Sequence, residues 1–221
     1  AFVLAGTAVF KVHAGPQREE HLADSVRTAM GVAVTGLAPP QPYLATPAEK
    51  QAYAQWLQHN SQTLNARLRK IHGNAGLPEL ATPELQTIFL QTVWYESSRA
   101  ALDPSLVLGL MEVESGFRKF AISSAGAMGV MQVMPFWPRL LARGEDVSLF
   151  QWQTNMRFGC VILRHYLKLE NGNLTMALGR YNGSRGRAAG VDAQGVLWLD
   201  SDNGRVPVSS DEVRIADPGA A

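Results

Sequence analysis

Two glutamates stand in an apolar run that begins at Asp103 and ends at Gly116. Asp103 is a good N-cap, a proline such as Pro104 is tolerated in a first turn, and glycine is suited to end a helix. Because the residues between them are apolar on nearly every side, we expect a buried helix. At 100° per residue, Glu112 and Glu114 point about 200° apart around that helix. The two carboxyl groups therefore cannot serve one site.

Glu114 is the glutamate with the better position for acid chemistry. It shares the i, i+3, i+4, i+7 spacing of one helix face with Val107, Leu110 and Met111. The negative end of the helix dipole and the apolar neighbours both disfavour its ionised form. A carboxyl group that keeps its proton near neutral pH can act as a general acid. From position alone, a helix-end glutamate turned towards solvent remains the alternative.

A loop of small residues follows this helix at 123–129 and leads into the segment 130–135, which ends in a proline. Glycines in such a loop allow the backbone to approach a bulky group closely. Gln132 carries two amide donors and an acceptor, which suit the hydroxyl and acetamido groups of sugars. The pattern predicts a loop that forms one wall of a binding site.

In chain order, these segments resemble the motifs of a known family, the family 1 lytic transglycosylases. Glu114-Ser115 matches the ES motif, Gly129 to Gln132 (GVMQ) matches GLMQ, and Arg180-Tyr181-Asn182 matches AYN. The resemblance covers about residues 102 to 184 and includes the spacing from the glutamate to the loop. It implies a mainly α, lysozyme-like SLT domain. Arg180 and Val130 replace the small Ala and the Leu that are usual in the family.

The resemblance also implies an activity, which is cleavage of peptidoglycan by a single acid/base. Glu114 would protonate the oxygen between N-acetylmuramic acid (MurNAc) and N-acetylglucosamine (GlcNAc) and then deprotonate the muramic 6-hydroxyl, which gives a 1,6-anhydroMurNAc end. The substrate-binding residues implied around it are Ser123, Gln132, Met134, Tyr181 and Asn182. A hydrolytic lysozyme-like muramidase and a non-catalytic peptidoglycan-binding module remain the alternatives.

Three of these assignments also have plainer interpretations. Ser123 could hydrogen-bond Glu114 or the substrate, or it could only cap a turn. Met134 could line a sugar subsite or belong to the core. Tyr181 could give its hydroxyl to Glu114 while Asn182 binds sugar, or both could only form a turn that ends a helix.

The sequence predicts no second catalytic carboxylate, no metal and no cofactor. Most glycosidases use two carboxylates, but Glu112 faces away from Glu114, and Glu145 and Asp146 lie in a turn that looks solvated. The five histidines show no metal-ligand spacing. Cys160, the one cysteine, lies in an apolar helical run and is expected to be a small core residue.

Four segments are expected along the chain. Residues 1–14 resemble part of a secretory signal, and their apolar stretch is too short to span a bilayer; an ordinary buried strand or helix is the alternative. Residues 15–81 form an N-terminal helical extension, 82–185 the catalytic domain, and 186–221 an irregular or disordered tail with one short strand at 196–199. Export to the periplasm or cell envelope follows from the first segment.

The remaining predictions concern helices and partners. Helices are predicted at 19–34, 46–73, 83–101, 103–116, 152–169 and 174–179, with a loop wall at 136–138 and the motif at 180–182 in a loop. With 20 basic and 19 acidic residues, the chain is nearly neutral, which argues against nucleic-acid binding. We expect a monomer whose partner is the glycan strand of peptidoglycan.

Overall fold

A computed structural model describes residues 19, 21–35, 44–73, 76–142 and 147–183, and the backbone of 186–191, 197–201 and 204–208. The chain divides into two compact units, residues 18–178 and residues 1–17 together with 179–221. The predicted signal segment at 1–14 and the turn at Glu145 and Asp146 lie outside the described residues. Among the residues that are described, no helix combines the length and apolarity needed to cross a membrane.

The described chain is mainly α-helical, as predicted. Its helices are α1 (Asp24–Val34), α2 (Pro47–His72), α3 (Pro83–Arg99), α4 (Pro104–Ser115), α5 (Phe136–Leu141), α6 (Trp152–Leu169) and α7 (Leu174–Asn182), with a 3₁₀ turn at Pro78–Leu80. In the larger unit α3 packs against both α2 and α6, and α1 packs against α5 and α6. The core of this unit therefore surrounds α3 and α6.

The helix ends follow the predicted capping residues. The Thr46 hydroxyl accepts a hydrogen bond from the Glu49 backbone N–H, and the Glu49 carboxylate accepts one from the Thr46 N–H, which is a complete capping box. The Asp103 carboxylate accepts from the Ser105 N–H at 2.7 Å and starts α4. Gly116, with φ of 58°, ends it in the left-handed conformation that glycine tolerates best.

Two elements of the larger unit differ from the prediction. The first helix begins at Asp24 rather than at residue 19. The predicted loop wall after Pro135 is the short helix α5, which buries Phe136, Trp137 and Leu141. A proline at its third position is compatible with a helix, because first-turn N–H groups have no helical partner. Burial of the aromatic side chains favours the helix here. A segment of six residues is too short for its apolar spacing to predict a helix.

The second unit contains a sheet that was only partly predicted. Strands β1 (Gly186–Val191), β2 (Leu197–Ser201) and β3 (Gly204–Val208) pair antiparallel in the order β1-β2-β3, with a bulge between Ala188 and Gly190. The sequence indicated one strand at 196–199 in an otherwise irregular tail. The Gly, Asp and Ser content of this region conceals the strands, since β-propensity depends on cross-strand neighbours more than on the residue itself.

Candidate active site

Glu114 lies on the last turn of α4, at the edge of the buried face of that helix. The buried face consists of Val107, Leu108, Met111 and Ser115. The glutamate next to Ser115 is half-buried, and its carboxylate oxygen Oε1 is shielded from solvent. The expectation of a helix buried all round is wrong, because Val113 is 67% exposed. A border position of this kind suits a carboxyl that must be desolvated and still meet a substrate.

Ser115 connects the end of α4 to the glycine-rich loop. Its hydroxyl lies 2.8 Å from the Val130 carbonyl and 3.2 Å from the Met111 carbonyl, so it can donate to a residue 15 positions away as well as to its own helix. The side chain is buried, where a hydrogen bond is worth more than at the surface. The serine of the Glu-Ser pair thus holds Glu114 against the loop that contains Val130.

The loop is held in a defined conformation by hydrogen bonds within it. Met128 forms β-bridges with both Ile122 and Val133. The Ser123 N–H donates to the Ala127 carbonyl at 2.9 Å, and the Ser123 hydroxyl accepts from the Ala127 N–H at 3.0 Å. Ser123 therefore caps the turn, as its plainer interpretation proposed. Its hydroxyl proton is not used as a donor in that bond, so a role towards Glu114 or substrate stays a prediction.

Gln132 stabilises the loop through its side-chain amide. It is buried, and its side-chain nitrogen donates to the Gly129 carbonyl at 2.9 Å and lies 3.4 Å from the Ala121 carbonyl. Its backbone φ is 50°, a conformation that few non-glycine residues adopt. The amide nitrogen thus holds the loop in shape. Contact between Gln132 and a sugar stays a prediction.

Asn155 of α6 is the residue that the sequence did not reveal. It is buried, its Nδ2 donates to the carbonyls of Met128 and Leu149, and its Oδ1 accepts from the Met131 N–H, all at 2.8 to 2.9 Å. A Cβ added to Gly129 would collide with Nδ2 and would lie 2.5 Å from the Leu149 oxygen. The available signal was an amide within an apolar helix, since buried amides are normally hydrogen-bonded.

Two of the described non-glycine residues with positive φ follow Glu114 in the chain, one directly after α4 and one on the loop. Phe117, three residues after the glutamate, has φ of 65° and is fully buried. Gln132 on the loop has the same left-handed conformation. Each such residue costs about 1–3 kcal/mol and persists only where surrounding contacts impose it, commonly at functional sites. This strain points to the same region as the motifs do.

Helix α2 supports the other side of α4. Arg67 pairs with Glu112 at 3.0 Å, and His72 Nε2 lies 2.7 Å from the Gly116 carbonyl. The pairing agrees with the prediction that Glu112 and Glu114 point in different directions. Helix α2 thus holds the C-terminal end of α4, the helix that carries Glu114.

Comparison with known proteins agrees with this arrangement. The model of the Transglycosylase SLT domain family matches residues 92–194, which include Glu114, the loop and α6. Residues 92–194 are therefore the part of the chain that is similar to an SLT domain. The resemblance read from the sequence is therefore confirmed.

Several relatives carry the name membrane-bound lytic murein transglycosylase C. Over 47 residues the chain is 49% identical to that of Actinobacillus pleuropneumoniae serotype 5b, 51% to that of Mannheimia succiniciproducens and 45% to that of Haemophilus influenzae strain PittEE. Each match spans 21% of this chain and 13% of the relative. An inactive mutant of the lytic transglycosylase Slt from Pseudomonas aeruginosa aligns at 25% identity with a TM-score of 0.40, over 62% of this chain and 21% of that chain.

The SLT domain contains a second Glu-Ser pair, Glu96-Ser97 of α3. Glu96 is 1% exposed, and its carboxylate is bound by Arg157 Nη2 at 2.8 Å, by Gln153 at 3.1 Å and by Arg99 at 3.2 Å. A carboxylate held by two guanidinium groups joins α3 to α6 and is a structural ion pair. This geometry differs from that of Glu114, whose half-buried side chain lies at the end of α4.

The remaining predicted site residues of the SLT domain lie at 134, 181 and 182. Met134 is half-buried, and its carbonyl accepts from the Trp137 N–H at the start of α5. Tyr181 is 1% exposed and Asn182 is half-buried. Both lie on the last turn of α7, so the prediction of a loop there is wrong. They belong to the unit 179–221, and their contact with Glu114 stays a prediction.

Nothing in the described part of the SLT domain groups three or more His, Cys, Asp or Glu side chains for a metal ion. Cys160 is buried in α6, and burial, with a further contribution from the negative charge of Glu96, raises the pKa of its thiol. A thiol of raised pKa carries little thiolate, the reactive form. Cys160 is a core residue.

Proposed function

We propose that this chain is a peptidoglycan lytic transglycosylase that cleaves the β-1,4 bond between MurNAc and GlcNAc and leaves 1,6-anhydroMurNAc ends. One observation carries the proposal: Glu114 is half-buried with one shielded oxygen, on a helix end that Ser115 binds to the glycine-rich loop. The local identity to proteins named lytic murein transglycosylases supports the choice of substrate. The named relatives are much longer than the matched segment.

In the first step Glu114 acts as an acid. Its proton moves to the glycosidic oxygen while the bond from that oxygen to C1 of the muramic residue breaks. The leaving sugar thereby departs as a neutral alcohol, and positive charge develops at C1, where the substrate's own acetamido group can stabilise it. Partial burial supports this role, because desolvation disfavours the carboxylate before the proton is transferred.

In the second step the same carboxylate acts as a base. It removes the proton from the muramic 6-hydroxyl, whose oxygen bonds to C1 and closes the 1,6-anhydro ring. Glu114 recovers its proton, and no water is consumed. Because the attacking hydroxyl belongs to the substrate, it is already close to C1, and such preorganisation makes a protein nucleophile unnecessary.

The neighbouring acids support a mechanism with one carboxyl group. Glu112 is paired with Arg67, and Glu96 is enclosed by Arg157 and Arg99. A carboxylate in a salt bridge already has a cation as its partner. Neither residue is available as the second member of a glycosidase pair.

We assign the substrate contacts to the loop and to the motif positions of the resemblance. Ser123, Gln132, Met134 and Asn182 contact the sugars, and Tyr181 orients Glu114. Phe120 and Ile122 are 60% and 64% exposed directly before Ser123. We propose that these two exposed apolar side chains pack against the apolar faces of sugar rings. We place the protein in the cell envelope, where its substrate is.

Digestion of purified sacculi tests the proposal. Wild type, Glu114→Gln and the matched control Glu112→Gln are each incubated with sacculi, and the released muropeptides are measured by mass spectrometry. We expect anhydro products, lighter by one water than hydrolytic ones, from wild type and Glu112→Gln, and none from Glu114→Gln. Products that contain the added water would identify a hydrolytic muramidase instead. Binding to sacculi without any released product would identify a binding module.

A further inference from the structure

A second concave site lies in the larger unit, away from the catalytic loop. It is a cavity of about 590 Å³ between α1, the end of α3 and one face of α6. On α6 it is lined by Arg157, Val161, Arg164 and Lys168. These residues lie about 200° around the helix from Asn155 and Gly159 at 100° per residue, and it is Asn155 that binds the loop. The cavity and the glycan-cleaving site are therefore on opposite faces of α6.

The cavity is strongly cationic. Arg99, Arg157, Arg164 and Lys168 line it, and Glu96 is the one acid among the lining residues that the structure describes. Arg157 and Arg99 both bind that glutamate, so their charges are partly compensated. The Arg164 guanidinium is placed by a contact of 3.4 Å to the Ala101 carbonyl, and Lys168 is exposed. Arg164 and Lys168 thus supply the positive charge for an anionic ligand.

The rest of the cavity lining is mainly apolar and combines small side chains with the larger Met30 and Leu169. Ala29, Ala33 and Val26 of α1 face Val161 of α6, and Ala100 closes the end of α3. Methyl-sized walls accommodate methyl-bearing ligand groups, whereas guanidinium groups bind carboxylates with matched, paired hydrogen bonds. A volume near 590 Å³ is within the usual range for a ligand pocket. The lining therefore suits a short peptide that has both methyl groups and several free carboxylates.

We propose that this cavity binds the peptide stem of peptidoglycan through the stem's free carboxylates, with Arg164 and Lys168 as the recognising cations. The choice of ligand rests on the proposed function, because the stem is the acidic, alanine-containing peptide attached to that substrate. Arg164 and Lys168 each receive one carboxylate of the stem, and the alanine methyl groups pack on α1. A stem bound on this face of α6 gives the protein a second attachment to peptidoglycan, away from the site that contains Glu114.

Direct binding to the whole chain tests this site. The probe is a synthetic stem tetrapeptide, alanine, γ-linked glutamate, diaminopimelate and alanine, labelled with fluorescein at its N-terminus and followed by anisotropy. The matched probe is the same peptide with every carboxylate amidated. The variants are Arg164→Gln and Lys168→Gln at the cationic wall, Ala33→Leu at the apolar wall, and Arg69→Gln on exposed α2 as the charge-matched control.

We expect Arg164→Gln and Lys168→Gln each to raise the dissociation constant about tenfold, as does loss of one charge-assisted hydrogen bond. Ala33→Leu weakens binding with no change in charge, whereas Arg69→Gln has no effect. Equal binding of the free and amidated peptides would overturn the proposal. So would equal losses in Arg164→Gln and Arg69→Gln, or no saturable binding in wild type. The probe contains no glycan, so peptide binding can be measured even if the protein has no lytic activity. The two proposals can therefore fail separately.

Discussion

The same dipeptide, Glu-Ser, occurs twice in this chain and has two different roles. Glu96-Ser97 sits inside α3, where the carboxylate is 1% exposed and bound by Arg157, Arg99 and Gln153. Glu114-Ser115 ends α4, where the carboxylate is half-buried with one shielded oxygen. The serines differ as well. Ser97 donates to carbonyls of its own helix, whereas Ser115 also reaches Val130 on the loop.

The difference separates a structural carboxylate from the one that we propose as the catalytic acid. Full burial requires partners, and partners of positive charge keep a carboxylate ionised and occupied. Partial burial at a helix end leaves room for a substrate, and neighbouring residues provide the anchoring. In this molecule the anchoring is done by the adjacent serine and by Asn155, while Glu114 itself remains at the border of the core. Four substitutions test this contrast.

The largest expected effect is on activity, from Glu114→Gln. Removing a general acid/base costs about 10²–10⁴-fold in rate, and glutamine is nearly isosteric with glutamate, so the melting temperature stays close to wild type. Release of soluble fragments from sacculi gives the rate, and circular dichroism gives the melting curve. Retention of most of the activity would refute the assignment of Glu114.

Glu96→Gln should show the reverse pattern, a large loss of stability. It leaves the Arg157 guanidinium buried without its charge partner, which costs about 3–5 kcal/mol. Urea denaturation followed by fluorescence measures the change. The control is Glu112→Gln, whose pair with Arg67 is part-exposed and worth about 1 kcal/mol at most. Similar losses of unfolding free energy in both variants would mean that the buried Glu96–Arg157 pair stabilises the fold no more than the part-exposed Glu112–Arg67 pair does.

Gly129→Ala tests the packing of the loop on α6. Gly129 has φ of 77°, and a Cβ there collides with Asn155, whereas Gly126 has φ of 88° and nothing within 4 Å of its Cβ position. We expect a loss of about 2–3 kcal/mol and reduced activity in Gly129→Ala, from overpacking added to backbone strain. Gly126→Ala, which has the strain alone, should lose about 1 kcal/mol. Equal losses would show that the approach of Asn155 is not tight.

The smallest effect sharpens the contrast between the two serines. Ser115→Ala leaves the buried Val130 carbonyl without its donor, which costs about 1–2 kcal/mol, and it loosens the support of Glu114. Ser97→Ala removes only bonds to carbonyls that already belong to α3, and about 0.5 kcal/mol is expected. Chemical denaturation and the initial rate on sacculi are measured for both. A rate loss in Ser97→Ala as large as in Ser115→Ala would break the comparison.

Local signals predicted the elements well wherever local contacts decide them. The caps at Thr46 and Asp103 and the stop at Gly116 were predicted from sequence, because each depends on hydrogen bonds or backbone angles within a few residues. The motif order around Glu114 likewise predicted the SLT domain. The relation between Glu112 and Glu114 followed from helix geometry alone.

Other features depend on residues far apart in the chain. Asn155 binds the loop from 24 positions beyond Met131, and no periodicity in α6 distinguishes such an amide from a surface one. The inward turn of the Gln132 amide and the helical start at Phe136 also arise from packing. The strands between Gly186 and Val208 require each other as partners, so a single stretch gives little indication of them.

The amino-acid sequence by itself predicted most of the helices and several of their ends, and it indicated Glu114 as the candidate acid, because propensities, caps and periodicity act within one or two turns. Only the tertiary structure decided which carboxyl group is enclosed by cations and which remains at the border of the core. It also decided where the opposite face of α6 forms a cationic cavity. The physical reason is that solvation and pairing of a charge depend on the groups that surround it in space, and these come from helices that are distant in the chain.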